Sequence, residues 1–209
     1  MALILAVLLA ASPADDAPFT AAPKYTAKVT FPLGVLWVKG DKYKLEFTAG
    51  PKGMILDDGR SIITTNDRAR TITREPSGLT ALSGKWAEAT EDERLKVRAA
   101  LAGYAYNPIL REWHEIDGKK FAKSDGGKIA GRETELIEAQ GMKLWRMKGT
   151  HVVLKAEVPG VRYEAGKIEE GIDIADDVFK APAGYTEKKS ESEISDVQSA
   201  EALWKRLVR

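Results

Sequence analysis

A period of two governs most of this chain. From Tyr25 the residues Tyr25, Ala27, Val29 and Phe31 fall on one side of an extended backbone and Thr26, Lys28 and Thr30 on the other, because successive side chains of a strand point to opposite faces. The texture returns in GVLWVKGDKYKLEF, where Lys39-Gly40-Asp41 supplies a turn and Tyr43, Leu45 and Phe47 then oppose Lys42, Lys44 and Glu46. MILDDGRSIITT turns at Asp58-Gly59, and RTITRE returns as a strand after Asn66-Asp67. Past Asp117-Gly118 and Asp125-Gly126-Gly127 come RETELIEA, MKLWRMKG, HVVLKAEV and, across Pro159-Gly160, VRYEAGKIEE. Gaps of turn length force antiparallel pairing, since a parallel pair needs a crossover of about a dozen residues.

Between Gly84 and Asp117 the period becomes helical. Thr90 and Glu93 form a capping box ahead of Leu95, Val97, Ala99 and Leu101. Asn107-Pro108 is expected to open a second helical piece carrying Ile109, Leu110 and Trp113. A further helix is expected in the tail, where Ser195 and Gln198 form a capping box and Val197, Ala200, Trp204 and Leu207 make one stripe. Lys205, Arg206 and Arg209 suit the negative end of its dipole. Such a helix is marginal alone in water, so it is expected to dock through Trp204 on the sheet or at a cavity mouth; a membrane-bound or partner-bound helix is the alternative. The fold expected is therefore α+β: one curved antiparallel sheet with a helical insert over 25–187, and a tail over 188–209 carrying an amphipathic helix.

The run MALILAVLLAASPADDA is too short to span a bilayer, which takes about 20 apolar residues. Residues 1–14 read as an export leader with a small-residue exit at Ser12-Pro13-Ala14 and acidic Asp15 and Asp16 beyond it, although no Lys or Arg precedes the apolar run. The rival is a buried N-terminal helix of a cytosolic protein. DDAPFTAAPK, residues 15–24, reads as a flexible lead-in with little to bury. The expected location is the periplasm. With no cysteine, the chain has neither disulfides nor a cysteine to carry an N-terminal lipid, so packing alone must hold it.

Lys plus Arg number 32 against 31 Asp plus Glu, so no global field gathers nucleic acid. His114 and His151 lack a second ligand at metal spacing, and neither a metal nor a cofactor is expected. There is no thiol and no Gly-x-Ser-x-Gly elbow to supply a nucleophile. The acidic groups Glu91 to Glu93, Glu169-Glu170 and Asp176-Asp177 read as solvated element ends rather than catalytic pairs. DDGR at Asp57 to Arg60 lacks the remaining ligands of a calcium loop, and KSDGGK at Lys123 to Lys128 lacks phosphate-loop spacing and reads as a hairpin turn. What remains is apolar: Val29, Phe31, Trp37, Tyr43, Leu45, Phe47, Met54, Leu56, Ile72, Trp145, Met147 and Val153. These are expected on the inner side of the sheet, either filling a core or lining a cavity for an apolar ligand, with Trp37, Phe47 and Trp145 as neighbouring rings.

The stretch from Gly131 to Tyr185 resembles the closing half of an uncharacterised group of bacterial envelope proteins with a LolA-like half-barrel fold. The resemblance rests on a strand starting at Gly131, on Trp145, Lys148 and Gly149 leading into the next strand, and on an acidic segment before Phe179, Pro182, Gly184 and Tyr185. It implies a curved sheet whose covering helices enclose an apolar cavity, as in periplasmic lipoprotein and lipid carriers, and it brings no catalytic residue. Phe179 would anchor the last edge while Pro182 and Gly184 turn the chain away. The chain departs from the pattern by running on from Thr186 to Arg209. The function expected is non-enzymatic binding of a lipid, an acyl chain or another hydrophobic envelope component. The alternative is an envelope scaffold or protein-interaction module with a filled core.

Overall fold

A computed structural model describes residues 19, 25–40, 42–50, 52–101, 104–107, 112–115, 122–139, 141–150, 152–189 and 196–209. The expected leader, all of the lead-in except Phe19, and the Ser195–Gln198 capping box lie outside what is described.

The strands of the first half are β1 (Thr26–Phe31), β2 (Gly34–Lys39), β3 (Lys42–Phe47), β4 (Gly53–Asp57), β5 (Ser61–Asn66) and β6 (Thr71–Pro76). Helices α1 (Gly78–Glu88) and α2 (Glu91–Leu101) follow, then the hairpin β7 (Tyr104–Asn107) and β8 (Glu112–Glu115). The second half holds β9 (Ala122–Ile129), β10 (Arg132–Ala139), β11 (Met142–Met147), β12 (Val153–Val158), β13 (Val161–Glu164) and β14 (Lys167–Glu170). A 3-10 turn at Asp176–Phe179, β15 (Thr186–Lys188) and α3 (Asp196–Leu207) complete the described chain.

This is an α+β fold with a large curved antiparallel sheet. Hydrogen bonding divides the wall into an eight-stranded part, β14-β1-β2-β3-β4-β5-β6-β15, and a five-stranded part, β13-β12-β11-β10-β9. The two parts meet in the run VRYEAGKIEE. Ala165 N donates to Leu154 O at 2.8 Å, and the next residue, Gly166, donates from N to Thr30 O at 2.8 Å. Within one residue the chain changes its partner from β12 to β1, which is how a strand turns the corner between sheets. The pairing is antiparallel throughout except that β15 lies parallel to β6.

Three local expectations are corrected. Asn107 and Trp113, expected in a helical piece, lie in strands: β7 and β8 pair antiparallel, with Tyr104 opposite Glu115 and Asn107 opposite Glu112, in keeping with the extended bias of a residue before proline, while Pro108, Ile109 and Leu110 lie outside the described residues. KSDGGK is not a turn but most of β9, with a register shift opposite Thr134 and Glu135. Gly126 is required there because a Cβ would stand 2.5 Å from Thr134 Oγ1 and 2.8 Å from Leu136 N. Helix α1 begins at Gly78, ahead of the expected Gly84. Its cap is Ser77, whose Oγ accepts from Thr80 N at 3.5 Å and donates to the buried Asp57 Oδ2 at 2.5 Å.

The capping box of α2 forms as read, with Thr90 N donating to Glu93 Oε2 at 2.8 Å and Glu93 N donating to Thr90 Oγ1 at 3.3 Å. Arg94 then ties the two helices, donating from Nε to Trp86 O at 3.1 Å, which also accepts from Ala89 N at 3.3 Å, and from Nη2 to Ala87 O at 3.0 Å, in the last turn of α1. The tail helix docks on the same molecule, chiefly against α1 and also against α2. Ala200, Leu203 and Leu207 are buried there and Trp204 is half-buried. Among the described residues no helix is long and apolar enough to cross a membrane.

Candidate functional site

The hairpin registers decide which side chains share a face. Lys39 pairs with Lys42, so the row running across the sheet is Lys28, Trp37, Lys44, Leu56, Ile63 and Arg74. The neighbouring row is Val29, Leu36, Leu45, Ile55, Thr64 and Thr73. Paired residues project to the same side, and adjacent rows project to opposite sides.

The inner face is the one bearing Val29, Leu36 and Leu45, and it belongs to the large apolar cluster. That cluster joins these strands to Leu82 and Trp86 of α1, Val97 and Leu101 of α2, Leu203 and Leu207 of α3, and the inward residues of the five-stranded part, including Ile137, Leu144 and Tyr163. Phe31 meets Tyr163 edge to face at 5.3 Å, so the two parts of the wall close on each other beside the corner strand. Across the sheet the inner face then changes character. Phe47 and Ile55 are half-buried, β5 presents buried Ile62 beside half-buried Thr64, and β6 presents half-buried Thr73 and Glu75.

The outer face carries a second, smaller cluster. Met54, Leu56, Ile63 and Ile72 are buried there under Ile174 and Phe179, with Trp37, Val178 and Tyr185 at its margin. The segment from Ile172 to Tyr185 is thus a strap across the outside of β4 to β6. Its pins are polar. Lys39 Nζ donates to Ile174 O at 2.7 Å and to Asp176 Oδ1 at 3.0 Å, Lys42 Nζ lies 3.6 Å from the same carboxylate, and Tyr185 donates from its hydroxyl to Asp67 Oδ1 at 2.7 Å under the Arg70 guanidinium. The hydrogen bond from Lys39, aided by the charges of both lysines, holds the Asp176 carboxyl below the ordinary range, and the hydrogen bond to Asp67 raises the Tyr185 phenol.

The ten residues singled out as possible cavity lining therefore do not share one face. Phe31, Leu45, Met147 and Val153 are buried in the inner cluster, and Phe47 is half-buried against it. Trp145 packs against that cluster too, but it stands in the row of Leu136 and Lys155, alternate to the row of Ile137, Leu144, Ala156 and Tyr163, with Lys155 Nζ 4.5 Å from its ring. Met54, Leu56 and Ile72 belong to the outer cluster, and Trp37 lies on the outer face with Lys28 Nζ 4.7 Å from its ring. Trp37, Phe47 and Trp145 are not neighbours on one surface.

Polar groups near the inner cluster are engaged in joining elements. Arg146 donates to Glu135 Oε2 at 2.5 Å and to Tyr104 O at 3.0 Å, fixing the β7–β8 hairpin to the wall. Arg132 and Glu170 form an ion pair across the corner, beside Tyr25, whose phenol is pushed up by burial first and by the Glu170 charge second. Among the described residues no group of three or more His, Cys, Asp or Glu could hold a metal ion; His151 and the side chain of His114 lie outside them.

Sequence reasoning missed three things: the outer cluster, the Arg146–Glu135 pair, and Phe19, which is fully buried although it lies in the stretch read as having little to bury. The signal for the first was present, since Ile174, Phe179 and Tyr185 are the apolar members of a polar phrase. Glu135 and Arg146 face each other across the β10–β11 hairpin and needed its register to be known, and Phe19 depends on contacts far apart in sequence.

No protein-family model matches the chain, and no curated protein matches it. Among solved structures it is similar to an uncharacterized conserved protein from Thermus thermophilus, with a TM-score of 0.46 and 8% identity over 79% of this chain and 90% of that one. It is also similar to the Pseudomonas aeruginosa MucA/MucB complex, with a TM-score of 0.41 and 14% identity over 84% of this chain and 60% of the matched one. A structure of MucB gives a TM-score of 0.40 and 13% identity over 84% of this chain and 62% of MucB.

Proposed function

We propose that the protein is a non-catalytic binding protein of the bacterial envelope, exported to the periplasm, whose inner sheet face takes the apolar part of a lipid or acyl-chain ligand. The observation behind this reading is the gradient along that face. Buried Val29, Leu36 and Leu45 give way to half-buried Phe47 and Ile55 and these to the hydroxyls of Thr64 and Thr73, while in the next inward row buried Ile62 gives way to the carboxyl of Glu75. An apolar floor that ends in a polar lip matches a ligand with an apolar tail and a polar head. Of the ten candidates, Phe31, Leu45, Phe47, Met147 and Val153 belong to this reading, with Trp145 at its margin. Trp37, Met54, Leu56 and Ile72 serve the strap instead.

Titration with an environment-sensitive apolar probe tests it. The wild-type protein is expected to bind the probe saturably and to release it to a fatty acid or phospholipid, and Phe47→Ala should weaken probe binding several-fold. Intact-mass measurement on the envelope fraction tests the location, with a mature chain expected to start near Asp15.

A second reading, an envelope scaffold that binds a protein partner, is favoured by the ring pairs inside. Phe31 packs on Tyr163, and Phe19 packs on Trp86 and Trp204, so these large rings spend their surface on one another. Absence of saturable probe binding by the wild type would leave this reading in place of the first.

A further inference from the structure

The outward rows of the eight-stranded part change character partway across. One runs Ile63, Leu56, Lys44, Trp37, Lys28 and Glu169, and the next runs Met54, Glu46, Val35, Thr30 and Lys167. Over β4 to β6 these rows are apolar and lie under the strap. Over β1 to β3 they are basic: Lys28, Val35, Trp37 and Lys44 are half-buried and Glu46 is exposed. Lys28 Nζ stands 4.7 Å from the Trp37 ring and makes no ion pair with a described residue, since Glu169 opposite it is paired with Lys167 at 3.0 Å. Lys44 has Glu46 at 3.3 Å, while Lys39 and Lys42 share the single carboxylate of Asp176. Four ammonium groups, on Lys28, Lys39, Lys42 and Lys44, therefore meet two carboxylates, on Glu46 and Asp176, beside one indole.

The strap displays the chemistry that this face accepts. Gly171 N donates to Thr26 O at 2.9 Å, Lys39 Nζ binds Ile174 O and the Asp176 carboxylate, and Ile174 is buried on the sheet between them. Carboxylates go to lysines and the aliphatic residue between them goes to the strands. We propose that the lane of Lys28, Trp37 and Lys44 beside the strap is a docking site for a second segment of this kind, acidic and extended with aliphatic residues between its carboxylates, supplied by a partner protein. Lys28 and Lys44 take the carboxylates, and Trp37 and Val35 take the aliphatic groups, so charge sets the choice of partner. A bilayer suits the lane less well, because a broad anionic plane would also meet exposed Glu46 and the strap's exposed Asp173 and Asp177. The site lies on the face of the sheet that the lipid reading does not use, and the two stand or fall separately.

The test uses the full chain and a labelled peptide, IDIADDV, the sequence of Ile172 to Val178, which lacks the Phe179 and Tyr185 rings that anchor the strap over β4 to β6. Extended, it reaches about 23 Å, enough for the roughly 14 Å from β14 to β3. By fluorescence anisotropy in low salt the wild type should bind it saturably, and Lys28→Gln with Lys44→Gln should weaken binding at least about fivefold. Neutralising Lys96 and Lys205, exposed on α2 and α3, should leave the affinity unchanged. The same peptide with Asn for each Asp should not bind. Carbodiimide coupling to the wild type, mapped by mass spectrometry, should join the peptide to Lys28 or Lys44, which gives a readout even if the double variant fails to fold. No saturable binding, equal weakening by both pairs of substitutions, an unweakened Lys28→Gln, Lys44→Gln chain, or coupling confined to other lysines would each overturn the proposal. If phosphatidylglycerol vesicles sediment the wild type while the peptide does not bind, the lane is a membrane contact and the proposal is likewise overturned.

Discussion

The eight-stranded part of the wall buries apolar side chains on both faces, and the two faces are closed in different ways. Inside, strands, helices and residues from the five-stranded part all contribute to one cluster, in which Val29, Leu36, Val97 and Leu154 have no exposed surface at all. Outside, among the described residues, one crossing segment supplies the cover with Trp37 at its margin, and its charged pins are in water: the Asp176 side chain is 69% exposed. A cover made of many elements loses little when one contact goes, because neighbours keep the water out. A cover made of one strap has no such reserve, so the outer cluster should come apart at lower cost and independently of the inner one.

The largest expected effect is at Trp86, which is buried at the junction of α1, α2 and Phe19. Trp86→Ala should cost about 3 to 5 kcal/mol in denaturant unfolding. A loss below about 1 kcal/mol would mean that helices and sheet do not form one cooperative core. Phe179→Ala comes next, at about 2 to 3 kcal/mol, toward the low end for a phenylalanine because a single strap can settle into the space. The sharper readout is local. Trypsin should cut Phe179→Ala at Lys180 while the chain still melts as one unit. Cleavage that appears only with global unfolding would erase the distinction between the two covers.

Much of this arrangement was legible in the residues, and the failures have a physical reason. Alternation in Tyr25 to Phe31 and in Lys42 to Phe47 identified the buried set on β1 and β3. It could not by itself say which residues of β2 and β4 join that set, since the answer depends on turn length. With Gly40 and Asp41 as the loop, Lys39 pairs with Lys42, and Trp37 must face the same way as Lys44, away from Leu45. One residue more or less in the turn would have reversed it. Met54 and Leu56 were misplaced for the same reason, as both faces of β4 are apolar and the pattern is silent. The corner at Ala165-Gly166 looks like plain strand in sequence, and the β7–β8 hairpin was hidden by a proline that opens helices as readily as it interrupts them. The tail helix was readable because its stripe is strong, and it docks chiefly on α1, with α2 and the sheet strand β6 also in contact.

The face assignment makes a pair of substitutions informative. Trp37→Ala and Phe47→Ala both remove half-buried rings, and each should cost about 1 to 2 kcal/mol, less than a fully buried aromatic. Only Phe47→Ala should alter binding of an apolar probe, since Trp37 lies on the far side of the sheet. Equal effects on probe affinity would show that the ligand reaches both faces, and the separation of inner and outer clusters would lose its functional meaning.

The smallest effect is electrostatic and belongs to the strap alone. Lys39 and Lys42 hold the Asp176 carboxyl below its ordinary value. A group whose pKa is lower in the folded chain stabilises that state above its unfolded value, about 3.9, and ceases to do so as the pH falls through the folded value. The strap should therefore loosen below about pH 4, and Asp176→Asn should remove part of that acid sensitivity. Asp125 and Glu93 are also held low, by Lys148 and by Thr90, so the wild-type profile contains several carboxylates. The difference between wild type and Asp176→Asn isolates this one. Denaturant unfolding at pH 6 and pH 3 in low salt should show the smaller loss in the variant, and about 1 M salt should abolish the difference, because exposed pairs are screened. Identical profiles in low salt would mean that Ile174 and Phe179 hold the strap without help from the lysines, making the outer cover a hydrophobic closure like the inner one.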